Sequence, residues 1–125
     1  MAGELTPAVL FARFTTFAGV FTTEPKPFAT VALEVTPYQG GLINVWRGKI
    51  VGTSVAPKFN FQESSDGVKW TACGGYSVDF DPGENAETQY APLFKKKWMR
   101  MTVELGHADN VLTLWASGFF EDRES

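Results

Sequence analysis

Residues 58–73, KFNFQESSDGVKWTAC, carry the clearest local fold signal in the chain. In the first half, Phe59 and Phe61 alternate with polar residues, as in a strand that buries one of its faces. An Asp-Gly pair ends this run, and Gly67 supplies the positive φ that a tight turn needs. Residues 68–73 then lead the chain back beside the first strand. This stretch therefore predicts a β-hairpin.

Alternation of apolar and polar residues recurs along the rest of the chain. In residues 98–105, WMRMTVEL, one face carries Met99 and Met101, and the other carries polar and charged side chains. Further candidate strands, bounded by glycine and proline, are 9–15, 17–22, 28–36, 42–53, 76–80 and 111–119. Residues 39–41, Gln-Gly-Gly, predict a turn, and residues 106–110 predict a hairpin loop between the last two strands.

The whole pattern predicts an all-β fold, an antiparallel β-sandwich (jelly-roll or Ig-like) of about eight strands in a single domain. The chain has 125 residues, of which 44% are hydrophobic and 20% are charged, a composition that disfavours intrinsic disorder. We expect an N-terminal arm at 1–8, the sandwich at 9–120 and a charged C-terminal tail at 121–125. With one cysteine there is no intrachain disulfide, so packing alone must stabilise the fold.

Charge and hydropathy disfavour several classes of partner. The net charge is −3 and the pI is near 5.1, whereas a nucleic-acid-binding protein needs a basic face for phosphates. No apolar run approaches the roughly 20 residues that cross a bilayer, so no membrane partner is expected. The N-terminal residues do not read as a signal peptide, which favours synthesis in a cytoplasm. The short basic run at 95–97 is typical of a loop or edge that discourages aggregation, and contact with an acidic partner is the alternative.

Few residues suit catalysis or cofactor binding. His107 and Cys73 are the only residues of their kinds, so spacing assembles neither a zinc site nor a Cys-His nucleophile. We expect His107 in a surface loop and Cys73 in the core. Asp79, Asp81 and Glu84 form a weak metal candidate, because carboxylates at a strand end and in the next turn can bind calcium; a solvated acidic turn is the alternative. No catalytic residue, cofactor or enzymatic activity is expected.

The four tryptophans lie on four different predicted strands: Trp46, Trp70, Trp98 and Trp115. In a small sandwich, tryptophans usually belong to the core or its rim, where the ring is buried and the N–H finds a partner. Two or three coplanar tryptophans could instead stack on sugar rings. A carbohydrate-binding module is therefore the second hypothesis for function.

Three segments carry a resemblance to a known family: FQESSDGVKWTA (61–72), residues 76–80 and KKWMRMTVEL (96–105). They resemble small β-sandwich structural proteins of tailed bacteriophages, in which a strand ending in Gln-Glu-Ser leads through Asp-Gly to a Trp-Thr strand. The likeness covers about 28–120. It implies a non-enzymatic virion protein, a head decoration or tail component made in the host cytoplasm. Its implied partners are copies of itself and a capsid or tail protein.

Five residues are candidates for subunit contacts. Phe119 and Phe120 are adjacent and cannot both point into one core, because neighbours in a strand alternate faces. We therefore expect one of them at a subunit contact or beneath the N-terminal strand. Leu5 and Pro7 lie in a short N-terminal segment that could order against a neighbouring subunit. Trp98 falls on the same face as a charged residue and is expected to be partly exposed.

Overall fold

The computed structural model describes residues 4–18, 28–53, 55–107 and 109–123, and the regular secondary structure in them is entirely β-strand. The strands are β1 (Leu5–Ala18), β2 (Phe28–Ala29), β3 (Leu33–Glu34), β4 (Tyr38–Arg47), β5 (Lys58–Ser64), β6 (Thr71–Ala72), β7 (Ala86–Tyr90), β8 (Trp98–Glu104) and β9 (Val111–Asp122). Sheet A has the order β1-β9-β4-β7, and sheet B has the order β2-β8-β5-β6, with β3 also paired to β8. All these pairings are antiparallel, and the predicted antiparallel β-sandwich is confirmed.

The core lies between the two sheets and follows the alternation of the strands. Sheet B contributes Met99, Met101, Val103, Phe59 and Phe61, and sheet A contributes Ile43, Val45, Leu112 and Leu114, all at most 1% exposed. Each such side chain stabilises the fold by roughly 1.5–3 kcal/mol relative to an exposed position. The predicted buried face of residues 98–105 is therefore confirmed. Among the described residues, no helix is long and apolar enough to cross a membrane.

The predicted hairpin at 58–73 is only partly right. Its first strand is β5, but the returning strand is limited to Thr71–Ala72, and six residues separate the two. In this loop the Ser64 Oγ accepts a hydrogen bond from the Gly67 N–H (2.8 Å), and Asp66 Oδ1 accepts one from the Val68 N–H (2.8 Å). These side chains satisfy backbone donors that a returning strand would otherwise have paired, so a wide loop replaces the tight turn.

The predicted hairpin between the last two strands is wrong. β8 belongs to sheet B and β9 to sheet A, so the two strands are not paired as a hairpin. Asn110 is fully buried and donates a hydrogen bond from Nδ2 to the Leu105 carbonyl (2.8 Å), which closes this connection. Gly106 adopts a φ of +86°, a conformation that side chains rarely tolerate. The sequence pattern of two alternating strands joined by a short loop is the same for a hairpin within one sheet and for a connection between two sheets. The pattern therefore could not distinguish them.

Several other predicted elements differ from the observed ones. Only β2 and β3 form within the predicted strand 28–36, and β4 begins at Tyr38, so residues 39–41 are strand and not a turn. The predicted strand 42–53 ends at Arg47, although the Gly48 and Val51 N–H groups still donate hydrogen bonds to carbonyls of β9. Residues 76–80 contribute only an isolated bridge from Phe80 to Phe59. The acidic region 82–92 contains β7, which the sequence did not indicate.

Both chain ends take part in sheet A. β1 begins at Leu5, inside the expected arm, and pairs with β9 as far as Ala18. It combines the predicted strand 9–15 with the start of 17–22, whose remaining residues lie outside the described ones. β9 extends through Asp122, inside the expected tail. Beyond it, Arg123 donates from Nε to the Thr36 carbonyl (2.9 Å). The described residues near both ends are therefore hydrogen-bonded.

Candidate subunit interface

The outer surface of sheet A, which we call the A face, carries an unusual group of exposed apolar side chains. Alternation and register place these residues on it: Leu5, Pro7, Val9, Arg13 and Phe14 of β1; Leu42, Asn44 and Trp46 of β4; Glu87 and Gln89 of β7; and Thr113, Trp115, Ser117 and Phe119 of β9. Leu5, Val9, Phe14 and Phe119 are 51%, 68%, 65% and 44% exposed. Contiguous apolar patches on a protein surface commonly mark an interaction site.

Strand register places the apolar residues at one end of the A face side by side. Phe119 lies directly opposite Pro7 of β1 and opposite Leu42 of β4. Leu5 lies two positions before Pro7 on β1 and therefore on the same face. Three residues selected from the sequence, Leu5, Pro7 and Phe119, are thus brought together.

A pair of tryptophans occupies the other half of the A face. Trp46 and Trp115 are register partners between β4 and β9, and Glu87 of β7 is the register partner of Trp46. The Arg13 guanidinium lies 4.5 Å from the centroid of the Trp115 ring. The Phe14 ring meets the Trp46 ring edge to face, with centroids 5.9 Å apart. The tryptophans therefore have a cation and an aromatic ring packed on them.

A β-bulge in β1 explains how Arg13 and Phe14 both reach this face. The register shifts between Phe11 and Thr15, so three residues of β1 lie opposite one residue of β9. Phe14 adopts a φ of +59°, which is costly for a bulky side chain, by about 1–3 kcal/mol. The bulge thus puts two large neighbouring side chains over the tryptophan pair. Alternation in the sequence could not reveal this, although FARF at 11–14 breaks the strict pattern.

A shallow groove of about 300 Å³ runs across the middle of the A face. Its lining combines apolar, polar and charged groups: Val9, Arg13, Trp115, Ser117, Asn44 and Glu87. The groove lies open on the surface. Its chemistry therefore suits contact with another molecular surface.

The other two contact candidates lie elsewhere. Phe120 is 6% exposed and packs its ring against Tyr38 and Phe94, with centroid distances of 5.2 Å to each. It belongs to the core. Trp98 lies on the outer surface of sheet B, where the Lys97 ammonium is 5.4 Å from its ring centroid. Phe119 and Phe120 thus point to opposite faces, as their adjacency predicts.

Two of the three weak metal candidates, Asp79 and Asp81, contact other side chains. Asp81 forms an ion pair with Arg47, and Asp79 accepts a hydrogen bond from the Asn60 amide (2.6 Å). Glu84 lines a second open groove of about 260 Å³ beside Arg47. Within the described ranges, no three or more histidine, cysteine or acidic side chains are grouped to bind a metal ion.

The remaining reactive residues have local partners. Cys73 is 1% exposed, and burial, followed by the charge of Glu63, raises the pKa of its thiol to about 12. His107 lies in the connection between β8 and β9, and its Nδ1 accepts a hydrogen bond from the Asp109 N–H (3.1 Å). In the basic run, Lys96 Nζ lies 4.0 Å from a Glu63 carboxylate oxygen. Cys73 is thus buried, and His107 and Lys96 each contact a nearby residue.

The four tryptophans form two pairs on opposite sides of the sandwich. Trp46 and Trp115 lie on the A face, and Trp115 is only 6% exposed. Trp70 and Trp98 lie on the sheet B side, where the Arg100 guanidinium is 4.4 Å from the Trp70 ring centroid. Each ring thus has a cationic or aromatic side chain packed against it, which differs from the open platform that stacking on a sugar needs.

Comparisons with protein-family models, with curated proteins and with solved structures find no match to this chain.

Proposed function

We propose that this chain is a non-enzymatic structural protein that associates with copies of itself and docks on a larger assembly, the capsid or tail of a phage particle. The observation that carries the proposal is the exposed apolar group on the A face. Leu5, Val9, Phe14 and Phe119 each leave 44% or more of a large apolar side chain exposed on this one face, and exposed apolar patches commonly mark interaction sites.

The energetics favour self-association through this group. Completing the burial of a large apolar side chain contributes up to about 1.5–3 kcal/mol. Association costs an estimated 4–15 kcal/mol in lost freedom of motion, so a few side chains from one copy are insufficient. In a symmetric dimer the same residues are buried on both copies. The free energy gained from apolar burial is therefore twice that of one copy.

The resemblance to phage virion proteins supports the second half of the proposal. Segments 61–72 and 96–105 lie in β5, β6 and β8, which are neighbours in sheet B. These two segments therefore lie in one continuous part of the sandwich. The A face lies on the opposite sheet, where a structural protein of this type could vary its contacts independently.

Sedimentation equilibrium tests self-association. We expect the wild-type chain to associate as its concentration rises, and Val9→Ser and Phe119→Ser to weaken this association by about tenfold or more. Val68→Ser is the matched control, because Val68 is 78% exposed in the loop after β5, away from the A face. A wild-type chain that stays monomeric at every accessible concentration would contradict the proposal.

The virion role has an independent test in the neighbouring genes. Capsid, portal or tail genes beside the coding sequence would support it. A stable placement among genes of metabolism would contradict it, whatever the oligomeric state of the purified chain.

A further inference from the structure

We propose that two copies of this chain pack A face to A face about a two-fold axis that runs parallel to the strands, between β9 and β4. The inference rests on the proposed self-association and names its partner, a second copy, and its geometry. Three observations carry it: the residues paired across β9 and β4, the charges at the two sides of the A face, and the area of the sheet.

The first observation is that register partners on β9 and β4 have similar chemistry. Phe119 is the register partner of Leu42, Ser117 of Asn44, and Trp115 of Trp46. A two-fold axis along this line exchanges the two strands, so each residue comes to face its own register partner in the second copy. Apolar groups then meet apolar groups, hydrogen-bonding groups meet one another, and the tryptophan regions meet. An isologous interface requires this self-complementarity.

The second observation is the opposite charge at the two sides of the tryptophan row. Arg13 projects from β1 on one side, and Glu87 projects from β7 on the other. Both are exposed and line the same groove, and no ion pair within 4.0 Å joins them in the described part of the chain. The proposed axis brings Arg13 of one copy to the Glu87 side of the other.

The same two charges disfavour a two-fold axis that runs perpendicular to the strands. A two-fold axis along the row itself, perpendicular to the strands, would bring Arg13 toward Arg13 and Glu87 toward Glu87. Like charges across an interface are strongly unfavourable, whereas opposite charges fix its register. Of the two axes, the one parallel to the strands brings each of these charges toward an opposite charge.

The third observation is the extent of the sheet. With strands about 4.8 Å apart and about 3.3 Å per residue, the four strands of sheet A cover about 600 Å². Two such faces bury about 1,200 Å² in total, which is the lower end of the range for a specific protein–protein interface. The A face is therefore large enough for a dimer without further elements.

Charge reversal tests this geometry. Dissociation constants are measured at low salt by sedimentation equilibrium for wild type, Arg13→Glu, Glu87→Arg and the double variant. We expect each single variant to weaken association by about tenfold or more, and the double variant to recover to within about threefold of wild type. The matched control is the double variant Lys58→Glu and Glu104→Lys, which reverses a register pair on sheet B and is expected to leave association unchanged.

Each other outcome has a defined meaning. Single variants that associate like wild type would overturn the geometry, and so would a double variant that stays as weak as the singles. If Val9→Ser and Phe119→Ser abolish association while the charge variants do not, self-association survives and this axis does not. A monomeric wild-type chain would overturn both proposals. Recovery in the double variant also shows that the double variant is folded, and circular dichroism checks the folding of each single variant.

Discussion

Arg47 and Asp81 form a two-pronged ion pair that ties the end of β4 to the segment before β7. Arg47 Nε lies 2.7 Å from Asp81 Oδ1, and Nη2 lies 2.9 Å from Oδ2. Arg47 is 8% exposed, and its Nη1 also donates to the Gly48 carbonyl (3.1 Å). A buried guanidinium has lost most of its hydration, so Asp81 serves as its counter-charge. The carboxylate singled out as a possible metal ligand is therefore part of a structural ion pair.

Replacing this carboxylate should destabilise the fold in a pH-dependent way. Burial alone would raise the pKa of Asp81, but hydrogen bonds from Arg47 and the Gly83 N–H, with the Arg47 charge, bring it below its ordinary value of 3.8. A lowered folded-state pKa contributes stability above the unfolded value, and this is lost as the pH falls through the folded value. We expect Asp81→Asn to lower the free energy of unfolding by about 2 kcal/mol at pH 7.

Urea denaturation at a series of pH values measures this effect. The difference between wild type and Asp81→Asn should narrow below about pH 4, as the wild-type carboxyl becomes protonated. Glu84→Gln is the control, since it changes an acid in the same region that has no part in the ion pair. If Asp81→Asn lowers the free energy of unfolding by the same amount at acidic and neutral pH, the ion pair is not the cause of the loss.

The Cys73 thiol should be nearly inert in the folded protein. Its pKa of about 12, against an ordinary value of 9.0, lowers the thiolate fraction at neutral pH about a thousandfold. We expect slow reaction with a thiol reagent such as DTNB, and fast reaction once urea unfolds the chain. Val78→Cys provides a comparison thiol, since Val78 is 77% exposed. Equal rates for the two thiols in the native state would contradict the buried position of Cys73.

Gly118 should not tolerate a side chain. A Cβ atom there would lie 1.9 Å from the Leu42 carbonyl oxygen, on β4, the strand that pairs with β9. Because the obstacle is backbone, relief requires the two central strands to separate. We expect Gly118→Ala to lower the free energy of unfolding by about 2–4 kcal/mol, measured by thermal or urea denaturation. Gly74→Ala is the control, since a Cβ there meets nothing within 4 Å, and an equal loss would argue against the clash.

Substitutions of the neighbours Phe119 and Phe120 should have different effects, one on self-association and the other on the stability of the fold. Phe120→Ala removes a buried ring from between Tyr38 and Phe94, and we expect a loss of about 3–5 kcal/mol in the free energy of unfolding. Phe119→Ala removes a ring that is 44% exposed, so stability should change by less than half as much while self-association weakens. The two measurements are urea denaturation and sedimentation equilibrium. If Phe119→Ala instead caused the larger loss of stability and Phe120→Ala weakened only self-association, the observed orientation of β9 would be contradicted.

The alternation of side chains was readable from the sequence because it is a local property. The buried face of β8 and the first strand of the 58–73 segment were predicted correctly for this reason. Partner choice is not local. β8 and β9 both alternate and are close in sequence, yet they belong to different sheets, and the buried Asn110 that closes the connection gives no distinctive pattern.

The candidate interface was found only in part, for a related physical reason. Leu5, Pro7 and Phe119 stand out as apolar residues at positions that a core does not need. Arg13 and Phe14 reach the same face through a bulge, and a bulge interrupts the period on which sequence reasoning depends. The ion pair of Asp81 could not be predicted from the sequence, because its partner Arg47 lies 34 positions away.

The central position of β9 affects how the protein is made. Sheet A cannot close while the ribosome is still synthesising β9, because that strand separates β1 from β4. Thr6 and its partner Asp122 are 116 positions apart, so the first strand emerges long before its neighbour exists. Such distant pairing slows folding. It also means that an unfinished nascent chain presents no complete pairing surface, so only finished chains would be admitted to the proposed assembly.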